Sequence, residues 1–325
     1  MSKAIRIHET GGPEVMCWED SAVADPGDGE VKLRHTAVGL NYIDTYHRSG
    51  LYPVDALPSG LGVEGAGEVE AIGEGVHDLQ VGDRVAYAGG PLGAYSECRI
   101  MPAERLVKLP EELADEQGAA IMLKGLTAHY LVRRTYEIKA GEIILVHAAA
   151  GGVGLLLCQW AKHLGATVIG TVGTPQKAEL AAANGCDHPI LYQDEDFVTR
   201  VRELTDGAGV PVVYDSVGQS TFMGSLDCLS PLGLMVTFGQ SSGSVPPFAV
   251  HELTARGSLY LTRPTLASYT ATREALLNNA HELFEVIASG AVKISVNQTY
   301  SLAEAAQAHR DLHDRRTTGA TVLLP

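Results

Sequence analysis

Along the first 120 or so residues, apolar and polar positions alternate in short runs, as in Lys3–His8, Glu30–Val38 and Gly67–Ile72, set apart by glycine- and proline-bearing turns. Alternation of period two predicts half-buried strands, so this part of the chain reads as β-rich. From about residue 126 the texture changes. Short apolar runs at Ile143–Ala148, Thr167–Thr171, Pro189–Leu191, Val212–Asp215, Leu234–Phe238 and Ser258–Thr262 predict strands. Amphipathic segments at Val153–Leu164, Pro175–Asn184 and Glu195–Thr205 lie between the earlier ones. Repeated βα units imply a parallel sheet covered by helices on both faces. The tail predicts a helix at Arg273–Ser289, a short strand, a helix at Leu302–Arg310 and a closing strand at Ala320–Leu324. Such a tail returns to the first domain, making 126–266 an insertion between 1–125 and 267–325.

Residues 141–162, GEIILVHAAAGGVGLLLCQWAK, carry the strongest chemical signal. An apolar run from Ile143 to Val146 breaks at Gly151-Gly152-Val153-Gly154 and resumes at helical period. Strand, glycine turn and helix, in that order, open a doubly wound nucleotide-binding unit. The glycines let the backbone approach a pyrophosphate, whose charge sits on the unpaired N–H groups and positive end of the helix, which makes Gly151, Gly152 and Val153 candidate cofactor-binding positions. The same corner also occurs in α/β folds that bind nothing there. His147 reads as a packed histidine beside the turn.

The second turn bears on the cofactor. An NAD site places an acid about 20 positions beyond the glycines, on the ribose 2′-hydroxyl. Here the second strand runs into Thr171-Val172-Gly173-Thr174 with no acid, and Lys177 follows at the start of the next helix. A cation among small residues suits a 2′-phosphate, and hence NADPH. The alternative for Lys177 is a solvated helix lysine.

Composition narrows the class. Hydrophobic content of 45% and charged content of 19% are globular values, without low-complexity tracts. A net charge of −15 repels a nucleic-acid backbone on average. Five scattered cysteines without a CxxC pair read as reduced thiols. With no apolar leader in MSKAIRIHETGG, the expectation is a cytoplasmic protein with no membrane partner. Gly239-Gln240-Ser241-Ser242-Gly243 satisfies G-x-S-x-G, but Pro246-Pro247 argues against the helix a nucleophile elbow must feed. His309 and His313, at i and i+4, read as a solvated face beside Asp311 and Asp314.

At Gly62-Val63-Glu64-Gly65-Ala66-Gly67, followed by Gly73 and Val76, the chain resembles the medium-chain dehydrogenase/reductase superfamily. Zinc members carry G-H-E-x-x-G, but here the ligand His is Val63, and the other ligand, a Cys near the end of an early strand, falls at Asn41. The structural-zinc lobe is missing, with only Cys98 in that region. A zinc site needs three or four soft or imidazole ligands, so no metal is expected. Gly141-Glu142, Leu145, Ala149-Ala150-Gly151-Gly152, Gly154, Gln159 and Lys162 resemble the zinc-independent, ζ-crystallin-like quinone oxidoreductases. Asn41-Tyr42-Ile43-Asp44-Thr45-Tyr46 and Ser49-Gly50-Leu51-Tyr52-Pro53 resemble their bacterial branch, and the likeness runs from Gly11 to Thr318-Gly319.

The resemblance implies an α/β fold with a GroES-like β-rich catalytic domain (1–125, completed by 267–325) and a Rossmann domain (126–266). It also implies NADPH-dependent reduction of a small quinone, without zinc or flavin. By family position Tyr192 flanks the 2′-phosphate, and Ser216 and Gly218 border the adenosine half. Asn41, Tyr46, Lys124, Thr127, Phe238, Gly239, Gln240, Leu261, Arg263 and Arg315 fall toward the nicotinamide. Tyr46 or Tyr52 would hydrogen-bond a quinone oxygen and Lys124 would supply positive charge; the alternative for Lys124 is a structural or cofactor-phosphate contact. A 2-alkenal or enone reductase uses the same scaffold, and a crystallin- or RNA-binding-like role is a third reading. The family is usually homodimeric, and Ser258–Thr262 as an exposed sheet edge would be paired or covered.

Overall fold

The alternating runs of the first hundred residues become antiparallel sheet. In the computed structural model, which describes residues 2–325, β1 (Ser2–Ile7) pairs with β2 (Met16–Ser21). Next come β3 (Glu30–Leu40), helix α1 (Tyr42–Ser49) and the short β4 (Ser59–Gly60), which joins the other edge of β1. β3 is the spine of a larger sheet, pairing with β5 (Glu64–Ile72) and β7 (Cys98–Pro102). β6 (Arg84–Ala88) and β8 (Val107–Lys108) extend the sheet beyond β5. In β3, Val31, Leu33 and His35 are buried while Lys32 and Arg34 face outward, the period-two pattern of a strand with one wet face. Leu33, Val69, Val85 and Met101 meet in its core, each burial contributing about 1.5–3 kcal/mol.

Helix α2 (Asp115–Tyr130) follows. Most of its residues from Ala119 onward are buried, so apolar residues surround it and no 3.6-residue stripe marks it in the sequence. The next stretch alternates as predicted. It comprises β9 (Ile143–Val146), α3 (Gly152–His163), β10 (Thr167–Val172), α4 (Pro175–Ala183), β11 (His188–Leu191) and α5 (Phe197–Leu204). β12 (Val210–Asp215), α6 (Phe222–Cys228), β13 (Leu229–Thr237), α7 (His251–Ala255), β14 (Tyr260–Thr262) and α8 (Leu266–Tyr269) complete it. All six strands are parallel, in the order β11-β10-β9-β12-β13-β14. The order reverses direction between β9 and β12, the switch point of a doubly wound dinucleotide fold.

The tail contributes α9 (Arg273–Ala288), β15 (Val296–Ser301), α10 (Ala305–His313) and β16 (Ala320–Leu324). β16 pairs antiparallel with β3, and β15 lies parallel beyond it, so the last strands complete the first sheet. The chain divides into one unit of Met1–Leu126, Thr270–Phe284 and Ile294–Pro325 and another of Thr127–Tyr269 and Glu285–Lys293.

The solvated reading of His309 is overturned. Ala305, Ala308 and His309 form the inward face of α10; both alanines join the first unit's core, and His309 is fully buried. Only His313 stays on the wet side. Four residues advance a helix by 40° beyond a full turn, enough to separate the two rings.

Candidate active site

The glycine turn has the geometry that anion binding requires. Ala148 adopts φ 53°, Gly151 N donates to Ala148 O at 2.8 Å, and Gly151 caps α3 in extended conformation. The first N–H groups of α3 have no acceptor within the helix, and no acidic side chain occupies its first turn. Gly154 serves packing. A Cβ there would lie 2.3 Å from Ala148 O and 2.9 Å from backbone carbon of Ala149, so only glycine lets α3 sit this close to the turn. His147 is buried, with Nδ1 2.9 Å from Thr171 Oγ1 and Nε2 2.9 Å from Ser225 Oγ. Burial lowers its pKa, so it is a neutral tie between β9, β10 and α6.

The other predicted cofactor positions in this unit gather mostly at the carboxyl ends of the same strands. Gly173 and Thr174 follow β10, and Thr174 Oγ1 accepts from Lys177 N at 3.3 Å, capping α4, whose first turn holds no acid. A Cβ on Gly173 would lie 3.0 Å from the Tyr192 hydroxyl, so the ring after β11 overlies the turn after β10. After β12, Asp215 Oδ1 accepts from Val217 N and Gly218 N at 2.7 and 3.0 Å, fixing the loop that carries Ser216. Gly239 presses on Ser216, whose carbonyl oxygen would sit 2.5 Å from a Cβ at that position. Phe238 N donates to Asp215 O at 2.8 Å. Arg263, after β14, donates to Thr237 O and Gly239 O at 3.2 Å and to Gln240 Oε1 at 3.4 Å. Leu261 lies within β14 opposite Met235, and Thr127 lies buried on α2.

The first unit holds a buried ion pair. Glu64 is fully buried; its Oε1 accepts from Leu123 N at 2.6 Å, and its Oε2 accepts from Asn41 Nδ2 at 2.7 Å and Lys124 Nζ at 3.0 Å. Gly39 makes room for it, because a Cβ there would lie 2.3 Å from Glu64 Oε2. Asn41 is also the N-cap of α1, joined to Asp44 in a capping box. On α1 the Tyr46 ring centroid lies 5.8 Å from Tyr42 and 5.1 Å from Tyr52. Arg315, after α10, is near enough to favour ionised Tyr42, although burial pushes that phenol the other way. Val63 offers no ligand atom. Among the described residues no three His, Cys, Asp or Glu side chains are grouped to hold a metal.

Residues 27–111 match the alcohol dehydrogenase GroES-like domain, and residues 152–277 match the zinc-binding dehydrogenase model. The chain is 57% identical over 325 residues to the quinone oxidoreductase of Pseudomonas aeruginosa, covering 100% of both chains. The chain belongs to the quinone oxidoreductase family of medium-chain dehydrogenases/reductases. An Escherichia coli quinone oxidoreductase solved in complex with NADPH is 50% identical and superposes with a TM-score of 0.97, covering 99% of this chain and 100% of that one. A 2-haloacrylate reductase from Burkholderia is 47% identical, covering 100% of this chain and 99% of its own length. The GroES-like and Rossmann architecture is therefore established, and the protein is an oxidoreductase of this family.

Sequence reading missed the partners behind the family's Asn41 motif. Asp44 Oδ2 accepts from Asn41 N and from the Tyr95 hydroxyl, both at 2.8 Å. The N-x-x-D spacing of Asn41 and Asp44 was the available signal, a capping box at a helix start.

Proposed function

We propose that the protein reduces small quinones by hydride transfer from NADPH, without zinc or flavin. The carrying observation is the acid-free turn at Gly173–Lys177 with Tyr192 over it, on a fold shared with an NADPH-bound relative. NADPH, when bound, supplies the hydride; the chain's residues bind, orient and balance charge. The turn at Gly151, Gly152 and Val153 would take the pyrophosphate, and Thr174, Lys177 and Tyr192 the 2′-phosphate. Ser216 would border the adenosine half, with Thr127, Phe238, Gly239, Gln240, Leu261 and Arg263 toward the nicotinamide. By the family resemblance, Asn41, Tyr46, Lys124 and Arg315 are cofactor positions as well. Tyr46 or Tyr52 would donate to a quinone oxygen. Lys124 would stabilise the charge that develops there, after which a hydroquinone anion takes its proton from water. Asn41 and Val63 leave the position of the family's catalytic zinc without His or Cys, which supports a zinc-free reaction.

Lys177→Ala is expected to raise the KM for NADPH about tenfold, the lower end for a charge-assisted hydrogen bond, and to leave that for NADH unchanged. Equal losses with both cofactors would place the 2′-phosphate elsewhere. The 2-haloacrylate reductase relative favours one second reading, reduction of an activated C=C bond.

We also propose that 1–125 with 267–325 form the catalytic domain and 126–266 the dinucleotide domain of a cytoplasmic homodimer. β14 is one edge of its sheet, with Tyr260 62% exposed, and an edge of this kind favours pairing with a second copy. The net charge disfavours nucleic acid. Sedimentation at micromolar concentration should give twice the chain mass; a monomer would refute the dimer.

A further inference from the structure

Behind the Lys124–Glu64 pair runs a buried polar chain. Arg48 donates from Nε to Gly11 O at 3.1 Å, and its other end lies 2.9 Å from His309 Nδ1. A guanidinium only donates, so His309 Nδ1 accepts and Nε2 carries the ring hydrogen. Nε2 then donates to the Tyr95 oxygen at 3.0 Å, and the Tyr95 hydroxyl donates to Asp44 Oδ2 at 2.8 Å. Burial and the Arg48 charge hold His309 near a pKa of about 3, consistent with this neutral tautomer. Asp44 Oδ2 also accepts Asn41 N, and the Asn41 side chain donates to Glu64. Asp44 is fully buried, and its Oδ1 has no hydrogen-bond partner. A carboxyl with one oxygen doubly bonded and the other unmatched can gain or lose a proton at Oδ1 without breaking the chain.

We propose that Asp44 is a positioning and charge-setting residue for hydride transfer, fixing Asn41 against Glu64 and setting, by its own ionisation, the net charge beside Lys124. The inference rests on the quinone reading above for the role of Lys124. The groups facing Asp44 come from several elements: Arg48 from its own helix beyond Tyr95, Glu64 from β5, Lys124 from α2, Tyr87 from β6, Tyr95 from the loop after β6, and His309 from α10. Burial pushes the Asp44 carboxyl up to about 7; the hydrogen bonds from Asn41 and Tyr95 and the Lys124 charge oppose that rise, and Glu64 adds to it. Below neutrality Asp44 is neutral and Lys124 faces one carboxylate. As pH rises through about 7 a second negative charge joins Glu64 and opposes build-up of charge on the acceptor. The fold responds with the same sign. A carboxyl raised above its unfolded value of 3.8 stabilises the acid side, and that contribution is lost as pH rises toward about 7.

The test is kcat for quinone reduction at saturating NADPH against pH, in wild type, Asp44→Asn and Tyr95→Phe. Wild type should lose activity by roughly fivefold to tenfold across neutrality, the scale of one unit charge whose field at the acceptor is strongly screened. Asp44→Asn, neutral throughout, should stay flat at the acid-side rate. Tyr95→Phe removes a bond that favours the carboxylate, so its inflection should move to higher pH. An unchanged inflection in Asp44→Asn overturns the proposal, as does a uniform loss in Tyr95→Phe with no shift. Difference infrared spectra across neutrality read the Asp44 acid carbonyl without any acceptor. A band that titrates in wild type and is absent in Asp44→Asn, with no quinone turnover, counts against the quinone reading alone; its absence from wild type counts against the inference alone.

Discussion

Glu64→Ala is expected to cost the first unit about 3–5 kcal/mol of stability, the scale for removing one partner of a buried ion pair. The substitution strands the Lys124 ammonium, which is 6% exposed, and removes the acceptor for both Asn41 Nδ2 and Leu123 N. Lys124→Met should cost less, about 1–3 kcal/mol, because Glu64 keeps its two N–H donors and the thioether fills much of the lysine's volume. Denaturant unfolding of both variants measures the asymmetry. Losses below about 1 kcal/mol in both, the range of exposed pairs, would mean that the pair is solvated in solution.

The second large effect is kinetic. If Lys124 balances charge on the reduced acceptor, Lys124→Met should lower kcat about a hundredfold, as for loss of one group that stabilises transition-state charge. The KM for NADPH should change only severalfold. Steady-state rates corrected for folded fraction separate this from a structural role: a loss no larger than the unfolded fraction would leave Lys124 as a buried strut for Glu64. A loss concentrated in the KM for NADPH would instead make it a cofactor-phosphate contact.

Much of this was legible in the chain because the relevant signals are local. The βα alternation and the glycine turn are read from consecutive residues, and the strands of the second unit appear close to their predicted bounds, apart from β13, which begins at Leu229 instead of Leu234. The turn at Gly173 and Thr174 and the helix start at Lys177 were visible because a turn and its helix cap occupy one short stretch. The Arg48–His309–Tyr95–Asp44 chain was not, since directly bonded members lie up to 261 positions apart and meet only when α10 packs against α1. His309 was misplaced because its acidic neighbours suggested a wet face, whereas Ala305, Ala308 and His309 share the inward side. Helix α2, which carries Lys124, escaped notice because a helix buried nearly all round shows no amphipathic stripe.

The most direct test of the central claim is oxidation of NADPH by the purified protein, followed by nicotinamide absorbance, with 1,4-benzoquinone and an α,β-enone as separate acceptors. NADPH-selective turnover with the quinone, and little with the enone, is the predicted result. Turnover with the enone alone would contradict it and place the protein with reducers of activated C=C bonds.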